Sequence, residues 1–406
     1  MLACLPPPFL TLRGLHTMKS PNPVYGAQGT TIFEVMSALA IEAGAINLGQ
    51  GFPDDEGPDD IRAAAARAIL DGPNQYPPMM GVPALREAVA VHAQRFYGID
   101  LDWRRQVLVT SGATEALAAS LTALLAPGDE AILIEPFFDT YRPVIEAAGA
   151  TVRTVPLTPP EWRLDSDALE AAFSDATKLI VVNTPQNPVG RVFTQAELSA
   201  IARLCIAHDA YAVCDEVYEH MAFDGRAHIP LMTLPGMAGR CVRIQSAGKI
   251  FSLTGWKVGF VTGSPELVSM VSKAHQNLVF TTPPGLQIAI AHGLAKEESF
   301  FTGQAQTLAA RRDILRGGLE RIGFDVAPCE GTYFLTADIR PLGTNETDDA
   351  FCRRITTEAK VSAVPVSAFY MPGARDVPRH FARFCFCKQP AVLEEAIARL
   401  ARYFGR

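Results

Sequence analysis

The residues of this sequence whose chemical role is clearest are two lysines within one short stretch. The stretch SAGKIFSLTGWKVGF (residues 246–260) places Lys249 and Lys257 eight positions apart, with small residues before the first lysine. An amine that loses its water shell at the end of an apolar strand becomes a nucleophile towards carbonyl groups. A second cation close behind it suits an anionic group. The stretch therefore predicts an amine that bonds to a carbonyl compound carrying an anionic group such as a phosphate.

Other polar residues supply what an aromatic aldehyde with a ring nitrogen and a phenolic oxygen would need. Asp215, in VCDEVY, can keep the ring nitrogen protonated, so that the ring withdraws electrons from a carbanion. Tyr218 and Asn187 can donate hydrogen bonds to the phenolic oxygen, and the flat side chain of Phe138 can stack on the ring. Taken alone, Asp215 is more typical of a helix N-cap and Phe138 of a core residue. Their occurrence together favours the chemical interpretation.

A phosphate on the same compound has a predicted binding site. Ser246, Lys257 and the SGAT turn (residues 111–114) bring a hydroxyl, a cation and the free amides of a helix N-terminus. Such amides point at an anion, and the helix dipole favours its negative charge.

Alternating strands and helices must hold these residues. Strands are predicted at 106–112, 130–136, 178–185, 210–218, 241–248 and 256–263, and helices at 113–126, 140–148 and 194–209. Near-continuous apolar strands that alternate with helices indicate a mainly parallel sheet covered on both faces. Ligands collect at the carboxyl ends of such strands. Because the polar clusters each follow an apolar strand, we expect them to meet at one edge of the sheet.

The C-terminal part has a different pattern, which predicts a second domain. A long helical region (about 285–322) precedes strands at 332–339 and 383–388 and helices at 346–360 and 390–404. We predict an α/β fold with a mainly parallel seven-stranded sheet in a large domain, plus a smaller α+β domain. The predicted division is a disordered extension (1–20), an arm joining the small domain (21–55), a large cofactor-binding domain (56–295) and a small domain (296–406).

Composition excludes several classes of partner. The chain has 406 residues and a net charge of −7, which argues against nucleic acid or an anionic membrane as its main partner. We also predict no membrane span, because apolar runs are too short. Cys385 and Cys387 alternate on a predicted strand, but a zinc site needs a second ligand pair that the sequence does not offer, so we predict no metal. The cysteine pattern favours a reducing, cytoplasmic location; a mitochondrial presequence, or a true start at Met18, are the alternatives for the first residues.

Seven motifs, in order, resemble the class I/II aminotransferases, which are pyridoxal-phosphate enzymes of fold type I. They are INLGQGFPD (46–54), NQYPPMMGVPALREAV (74–89), EPFFDTY (135–141), NTPQNPVG (183–190), DEVYEH (215–220), SAGKIFSLTGWKVG (246–259) and RFCFCK (383–388). The resemblance extends from Phe33 to the last helix. It is strongest to the kynurenine, glutamine and methionine aminotransferases and to bacterial N-succinyldiaminopimelate aminotransferases.

The resemblance implies a role for each matching residue. Pyridoxal 5'-phosphate would form a Schiff base with Lys249, which also shuttles protons, while Asp215 contacts the pyridine nitrogen and Tyr218 and Asn187 the phenolic oxygen. Phe138 would stack on the ring. The residues implied at the phosphate are Ser246, Lys257, Gly112, Ala113, Thr114 and, from the neighbouring subunit of a homodimer, Tyr76.

The resemblance also implies a substrate site. Arg383 would bind the α-carboxylate of the amino acid, with Asn187 and a backbone contact from Gly51. Most of the wider family has arginine where Lys257 stands, and lysine is a point charge rather than a bidentate fork. The Gly-Trp-Lys form is nevertheless similar to that of the kynurenine and methionine subgroup.

These implications lead to one main function and several alternatives. We expect an aminotransferase that moves an amino group from an L-amino acid to a 2-oxo acid in two half reactions. A cysteine-S-conjugate β-lyase on the same scaffold stays open, because the same carbanion can expel a thiolate. A transcription regulator would need a DNA-binding domain before the enzyme-like part, and the N-terminal tail of about thirty residues has no room for one. A catalytically inactive binding protein would be expected to lack Lys249 or Asp215.

The stretch KAHQNLVFTTPPG (273–285) bears on the substrate side chain. In aspartate-specialised relatives the corresponding stretch carries an arginine, whereas here it has Leu278, Val279 and Phe280. An apolar wall cannot offset the desolvation of a side-chain carboxylate. We therefore predict neutral donors with sulfur-containing, aromatic or amide side chains. N-succinyldiaminopimelate remains the alternative, because Arg191 or the N-terminal region could supply a cation.

Overall fold

The computed structural model describes residues 19–406, so the alternative start at Met18 and nearly all of the predicted extension (1–20) lie outside the described residues. The strands, in chain order, are β1 (Ile46–Asn47), β2 (Val107–Thr110), β3 (Glu130–Glu135), β4 (Thr151–Thr158), β5 (Arg163–Leu164), β6 (Thr177–Asn183), β7 (Tyr211–Asp215), β8 (Cys241–Ser246), β9 (Gly259–Gly263), β10 (Asp325–Val326), β11 (Phe334–Asp338), β12 (Val361–Ser362), β13 (Val364–Pro365) and β14 (Phe381–Cys385).

The described part of the chain also contains fifteen α-helices. They are α1 (Pro23–Gly26), α2 (Ile32–Ala43), α3 (Asp59–Asp71), α4 (Pro83–Tyr97), α5 (Trp103–Gln106), α6 (Gly112–Leu124), α7 (Tyr141–Ala147), α8 (Ser166–Ala172), α9 (Gln195–Ala207), α10 (Ala247–Ile250), α11 (Pro265–Leu278), α12 (Pro284–Leu294), α13 (Glu298–Ile322), α14 (Asp348–Arg354) and α15 (Pro390–Tyr403). Among residues 19–406, no helix is both long and apolar enough to cross a membrane.

The large sheet has the order β2-β9-β8-β7-β6-β3-β4-β5. Its centre, from β8 to β4, is parallel, which confirms the predicted mainly parallel sheet. The strand β9 is antiparallel to β8 and β2. A parallel return would need a crossover of a dozen or more residues that usually contains a full helix, and the short segment between β8 and β9 holds the four-residue helix α10 and a 3-10 turn (Thr254–Trp256). The sheet has eight strands where seven were predicted, and the two that the sequence did not locate are β4 and the two-residue β5, which pairs antiparallel with β4 at the edge.

Alternate residues of the large sheet pack into separate cores on its two faces. Ile132 and Ile134 contact the core that contains helices α8 and α9, whereas Leu133 lies in the core with α6 and α11. This alternation follows from the two-residue period of a strand. Both faces are therefore covered, as the apolar strands indicated.

The second sheet is antiparallel and has the order β10-β11-β14-β13. Its core also contains residues of helices α13, α14 and α15. The helix predicted over 346–360 ends sooner, since α14 gives way to a π-helical turn (Ile355–Ala359) before Lys360 adopts a left-handed conformation. The strand β1 pairs in parallel with β12, which ties the N-terminal arm to this part of the chain. The domain boundaries at 55 and 295 stay a prediction.

The strand ends bring distant parts of the sequence to one edge. Asn183 at the end of β6 pairs with Asp215 at the end of β7, and Asp215 in turn lies beside Ile244 of β8. Helix α6 begins two residues after β2, and α10 begins directly after β8. The polar residues that follow these strands therefore share one edge of the sheet.

Candidate active site

A cavity of about 350 Å³ lies at the carboxyl ends of the central strands. Twelve of the thirteen predicted site residues line it, namely Gly51, Gly112, Ala113, Thr114, Phe138, Asn187, Asp215, Tyr218, Ser246, Lys249, Lys257 and Arg383. They come from sequence positions more than 300 residues apart, and they include residues from each of the predicted polar clusters that follow apolar strands, namely 111–114, Asn187, Asp215 with Tyr218, and 246–249. The thirteenth residue, Tyr76, does not line this cavity.

Lys249 projects from the short helix α10 directly after β8. Its Nζ donates a hydrogen bond to the hydroxyl of Tyr333 at 2.6 Å. Burial lowers the pKa of Lys249 to about 8, with the nearby cation Lys257 adding to the shift while Cys387, Cys385 and Asp215 oppose it. The neutral form that a nucleophile or a base requires is consequently more populated near physiological pH than it is for an exposed lysine.

Asp215 ends β7 and is buried beneath the cavity. Its Oδ2 accepts a hydrogen bond from the hydroxyl of Tyr141 at 2.5 Å, and its Oδ1 has only a long contact of 3.4 Å with the amide of Val217. Burial raises the pKa of Asp215 to about 6, although the Tyr141 hydroxyl and the Val217 amide favour the ionised form. One oxygen is therefore available to a cationic N–H group that enters the cavity.

The residues expected at the phosphate surround the N-terminus of α6. The first amides of a helix have no partner within it, and Ser111 does not cap this helix with its side chain. Gly112 has a φ of +79°, and a Cβ at this residue would lie 3.2 Å from Cε of Lys257. A Cβ on Gly259 would lie 2.6 Å from the backbone of Gly112. These glycines let the helix start, the lysine and β9 approach one another around a small anion site.

Arg383 reaches the cavity from β14 of the second sheet and is fully buried. Its Nη1 donates to Oδ1 of Asn187 at 2.8 Å and its Nη2 to the carbonyl of Gly49 at 2.6 Å, while Nε has no partner in the described structure. The guanidinium lies 3.9 Å from the ring centroid of Phe334. Burial lowers the pKa of Arg383 to about 10. The group stays a cation with hydrogens left over for a ligand.

The same contact orients Asn187. Because Oδ1 of Asn187 accepts from Arg383, its NH₂ group is the part left to donate. Its backbone amide bonds to Oδ1 of Asn183, whose Nδ2 bonds to the carbonyl of Asp215. Tyr218 lies close to Lys249, with the centroid of the tyrosine ring 5.6 Å from Nζ. Burial raises the pKa of Tyr218.

Tyr76 lies apart from this cavity and is 83% exposed. Its ring packs edge-on against Phe280, with 5.6 Å between the centroids. Other apolar residues in the neighbouring parts of the sequence, on either side of Tyr76 and Phe280, are also exposed, namely Ile69, Leu70, Leu278, Val279 and Ile288. The structure therefore does not bring Tyr76 to the site of its own subunit.

Arg191, which remained a candidate partner for a distal carboxylate, is engaged elsewhere. Its Nη2 donates to both carboxylate oxygens of Glu197 at 2.6 and 2.7 Å, and its Nη1 donates to the carbonyl of Trp162 at 2.7 Å. The residue is buried and is not among those that line the cavity. Glu197 also forms a capping box with Thr194 at the N-terminus of α9, which fixes its carboxylate.

Sequence reasoning missed three aromatic residues of the site. Tyr141 bonds to Asp215, Tyr333 bonds to Lys249, and Phe334 lies against Arg383. Tyr141 belongs to EPFFDTY, in which only Phe138 was singled out. A tyrosine that follows a turn has many ordinary structural interpretations, and its hydroxyl partner cannot be deduced from spacing alone.

One cluster among residues 19–406 has the composition of a metal site, namely His92, Glu219 and His220. The two imidazoles contact each other through their Nε2 atoms at 2.8 Å, and the carboxylate of Glu219 accepts from Arg243 and Gln245. Burial lowers the pKa of His92 to about 4 and that of His220 to about 3. Nδ1 of His92 is buried and has no hydrogen-bond partner in the described structure. The absence of a metal therefore stays a prediction. The thiols of Cys385 and Cys387 do face the same side, 3.0 Å apart.

Comparison with known proteins gives matches along almost the whole chain. The profile of aminotransferase class I and II matches residues 43–400. A protein described as a probable N-succinyldiaminopimelate aminotransferase from Mycobacterium tuberculosis is 46% identical over 92% of this chain and 96% of its own length. The methionine aminotransferase of Escherichia coli is 40% identical over 92% of this chain and 95% of its own. The solved structure of the N-succinyldiaminopimelate aminotransferase from M. tuberculosis has a TM-score of 0.92 and 45% identity, covering 94% of this chain and all of that one (100%).

Proposed function

We propose that this chain, which belongs to the class I and II aminotransferases, uses Lys249 as its catalytic lysine and a neutral L-amino acid as its donor. The family and the relatives make it a pyridoxal-phosphate-dependent enzyme that acts on amino acids and 2-oxo acids. The observation that carries the residue assignment is the cavity itself. It combines a buried amine of lowered pKa, a buried carboxylate with a free oxygen, and an anion site at a helix N-terminus.

The residues fit the cofactor at each of its polar groups. When bound, pyridoxal phosphate supplies an electron sink for the negative charge left at the substrate Cα. The free Oδ1 of Asp215 suits a protonated ring nitrogen, and the buried Tyr141 hydroxyl keeps the carboxylate oriented. The NH₂ group of Asn187 and the hydroxyl of Tyr218 suit the phenolic oxygen. The amides of Ala113 and Thr114, with Ser246 and Lys257, suit the phosphate.

Lys249 and Arg383 act on the substrate in this proposal. Arg383 binds the α-carboxylate with the hydrogens that Asn187 and Gly49 leave free, which fixes one end of the amino acid. The amine of Lys249, neutral above its lowered pKa of about 8, takes the proton from Cα. Gly51 gives a backbone contact at the carboxylate, and a Cβ there would lie 2.4 Å from Phe334.

The lining of the cavity supports neutral side chains. Phe33, Phe52, Leu117 and Phe334 supply apolar surface, and the cationic side chains that line it are Lys249, Lys257 and Arg383, each with a proposed role in binding the cofactor or the α-carboxylate. A side-chain carboxylate would lose its hydration without gaining an ion pair. We therefore propose methionine, glutamine, phenylalanine or kynurenine as better donors than aspartate.

One observation favours a second candidate, N-succinyldiaminopimelate. A relative named for this substrate is 46% identical to the chain over nearly its full length. Because Arg191 is held by Glu197, a partner for a distal carboxylate would then come from the N-terminal region or from the neighbouring subunit.

A homodimer with shared sites is the proposed assembly. The exposure of Tyr76 and of the apolar residues around Phe280 supports it, since an apolar surface of this kind is typical of an interface. Tyr76 would reach the phosphate of the partner.

The same proposal includes a location and a division into domains. The seven described cysteines are free and buried, which favours a reducing, cytoplasmic compartment. The division into an arm (21–55), a large cofactor-binding domain (56–295) and a small domain (296–406) is supported by the positions of the two main sheets, which use residues 107–263 and 325–385.

A donor panel tests the substrate proposal. Holoenzyme is assayed with 2-oxoglutarate and with pyruvate as acceptor, and kcat/KM is compared for methionine, glutamine, phenylalanine, kynurenine, aspartate and N-succinyldiaminopimelate. We expect a neutral donor to rank first. Aspartate in first place would contradict the proposal, and N-succinyldiaminopimelate in first place would favour the second candidate.

A further inference from the structure

The hydroxyl of Tyr333 forms two hydrogen bonds that define which partner donates. It contacts Nζ of Lys249 at 2.6 Å and the carbonyl of Gly51 at 2.8 Å. A tyrosine hydroxyl has a single hydrogen, and a carbonyl can only accept. The hydrogen is thus committed to Gly51, and the amine of Lys249 must donate in the other bond.

This donor direction suits an amine that has to act as a base. An amine that donates one N–H to Tyr333 keeps its lone pair free to accept a proton from a substrate carbon. A hydroxyl that donated to Nζ would occupy that lone pair and weaken the base. Burial raises the pKa of Tyr333 well above its ordinary value and lowers that of Lys249 to about 8, so above pH 8 the amine is mainly neutral while the phenol keeps its proton.

Tyr333 reaches the amine from outside the substrate cavity. Lys249 lines the cavity of about 350 Å³, whereas Tyr333 is absent from that lining and borders a second cavity of about 220 Å³ with Arg311 and Cys387. The ring is 1% exposed and packs edge-on against Tyr218, with 5.3 Å between the centroids. Any effect of Tyr333 on the substrate therefore passes through residues that line the cavity, and its hydroxyl contacts two of them, Lys249 and Gly51.

The backbone around Tyr333 is firmly held, so its hydroxyl is a fixed point. The carbonyl of Tyr333 accepts from the amide of Phe386 at 2.9 Å. The preceding Thr332 has a left-handed φ of +66°, and its Oγ1 accepts from the amide of Phe334 at 3.1 Å. Such a restrained side chain can position another group within a fraction of an ångström.

We propose that Tyr333 is the positioning residue of Lys249: its hydroxyl holds the amine in the orientation that exposes the lone pair, and its proton fixes the Gly51 carbonyl. The amine of Lys249 and the backbone at Gly51, which is proposed to contact the substrate carboxylate, are thereby held at a fixed distance from each other. The inference rests on the catalytic role of Lys249 proposed above, and it adds a residue that does not touch the substrate.

The variant Tyr333→Phe removes the hydroxyl and keeps the ring. A displacement of about 1 Å at a reacting group costs on the order of a hundredfold in rate, so we expect kcat to fall about 10- to 100-fold. The KM of the amino acid should change little, since Arg383 is untouched. The acid limb of the kcat–pH profile should move to lower pH, because the protonated amine loses an acceptor. The matched control is Tyr370→Phe, which removes a buried hydroxyl that has no hydrogen-bond partner in the described structure.

A second measurement does not depend on turnover. Pyridoxal phosphate is added to the apoprotein, and the rate at which the visible absorption of the lysine-bound form develops is recorded. We expect Tyr333→Phe to reach the same final absorbance about tenfold more slowly, because the amine is no longer held for attack. Thermal unfolding of each variant monitors the fold. If Tyr333→Phe does not fold, 3-fluorotyrosine at position 333, a weaker acceptor, should change both rates in the same direction by a smaller factor.

The outcomes separate this inference from the one it rests on. Slower turnover and slower uptake in Tyr333→Phe, with Tyr370→Phe unchanged, support the positioning role. Wild-type behaviour of Tyr333→Phe or of the fluorinated protein in both measurements overturns that role alone. If borohydride traps the cofactor on a residue other than Lys249 in the wild-type protein, both proposals fall together.

Discussion

Replacing Arg383 by lysine tests how the substrate carboxylate is bound. The change keeps a positive charge at the same place but removes the planar fork, which a lysine cannot reproduce. In the structure Nη1 donates one hydrogen to Asn187 and Nη2 donates one to Gly49. The Nε–H group and the remaining hydrogens of Nη1 and Nη2 are left for the substrate. Two parallel bonds to a carboxylate would become one.

The expected loss follows from the energy of one such bond. A hydrogen bond to a charged group contributes about 1.5–3 kcal/mol, which corresponds to about 10- to 160-fold in kcat/KM. The carboxylate is bound in the ground state and in the transition state alike, so most of the loss should be in KM. Of the residues proposed to bind the cofactor, Arg383 forms a hydrogen bond with Asn187 alone. The visible absorption of the variant should therefore stay near that of the wild type.

The assay measures kcat and KM for several amino acids with Arg383→Lys. Arg340→Lys is the control, because Arg340 is largely exposed and pairs with Asp338 away from the cavity. We expect every amino acid to be affected by a similar factor, since all carry the same carboxylate. Unchanged kcat/KM values in Arg383→Lys, or a loss confined to one amino acid, would refute the reasoning.

Three further results are expected. Burial raises the pKa of Asp215 to about 6, so its contribution to the stability of the apoprotein is present at low pH and is lost as pH rises through 6. At pH 8 the ionised carboxylate lowers the free energy of unfolding by about 3 kcal/mol. Apo Asp215→Asn should therefore unfold at a higher temperature than apo wild type at this pH, although the variant loses turnover. An equal or lower unfolding temperature would contradict this. Tyr141→Phe should weaken cofactor binding by about 1.5–3 kcal/mol in a titration, because a bond to the Asp215 carboxylate is lost, whereas unaltered binding would leave Tyr141 without this role. Mixing inactive Lys249→Ala with Tyr76→Ala should recover about a quarter of wild-type activity if sites are shared across a two-fold dimer, and no recovery in a mixed dimer would contradict sharing.

The sheet and its polar edge could be predicted because both follow from short-range patterns. Strands such as 130–136 and 178–185 contain continuous apolar runs, and Asp215, Ser246 and Lys249 lie at or just after the end of a strand. Parallel strands place such residues at one edge whatever the details of packing. The predictions for these positions needed no knowledge of distances.

The remaining features depend on how the second sheet closes against the first. The contact of Arg383 with Asn187 joins residues 196 positions apart, and Tyr333 meets Lys249 across 84 positions. The periodicity of the sequence does not show which residues so far apart along the chain come into contact. The direction of β9 and the edge strand β5 were missed for a related reason, since both follow from the length of a connection rather than from an apolar pattern. The role of Arg191 was left open because an arginine six residues before a glutamate does not reveal whether the two are paired.

The assignment of Lys249 is tested most directly by chemical trapping. Holoenzyme is reduced with borohydride and digested, and the peptide that carries the pyridoxyl group is sequenced by mass spectrometry, with Lys257→Ala reduced in parallel as a control for the second lysine of the same stretch. We predict a single labelled peptide with the group on Lys249 in both proteins, and no labelled peptide from Lys249→Ala. A labelled Lys257, or a reducible bond that persists in Lys249→Ala, would contradict the account.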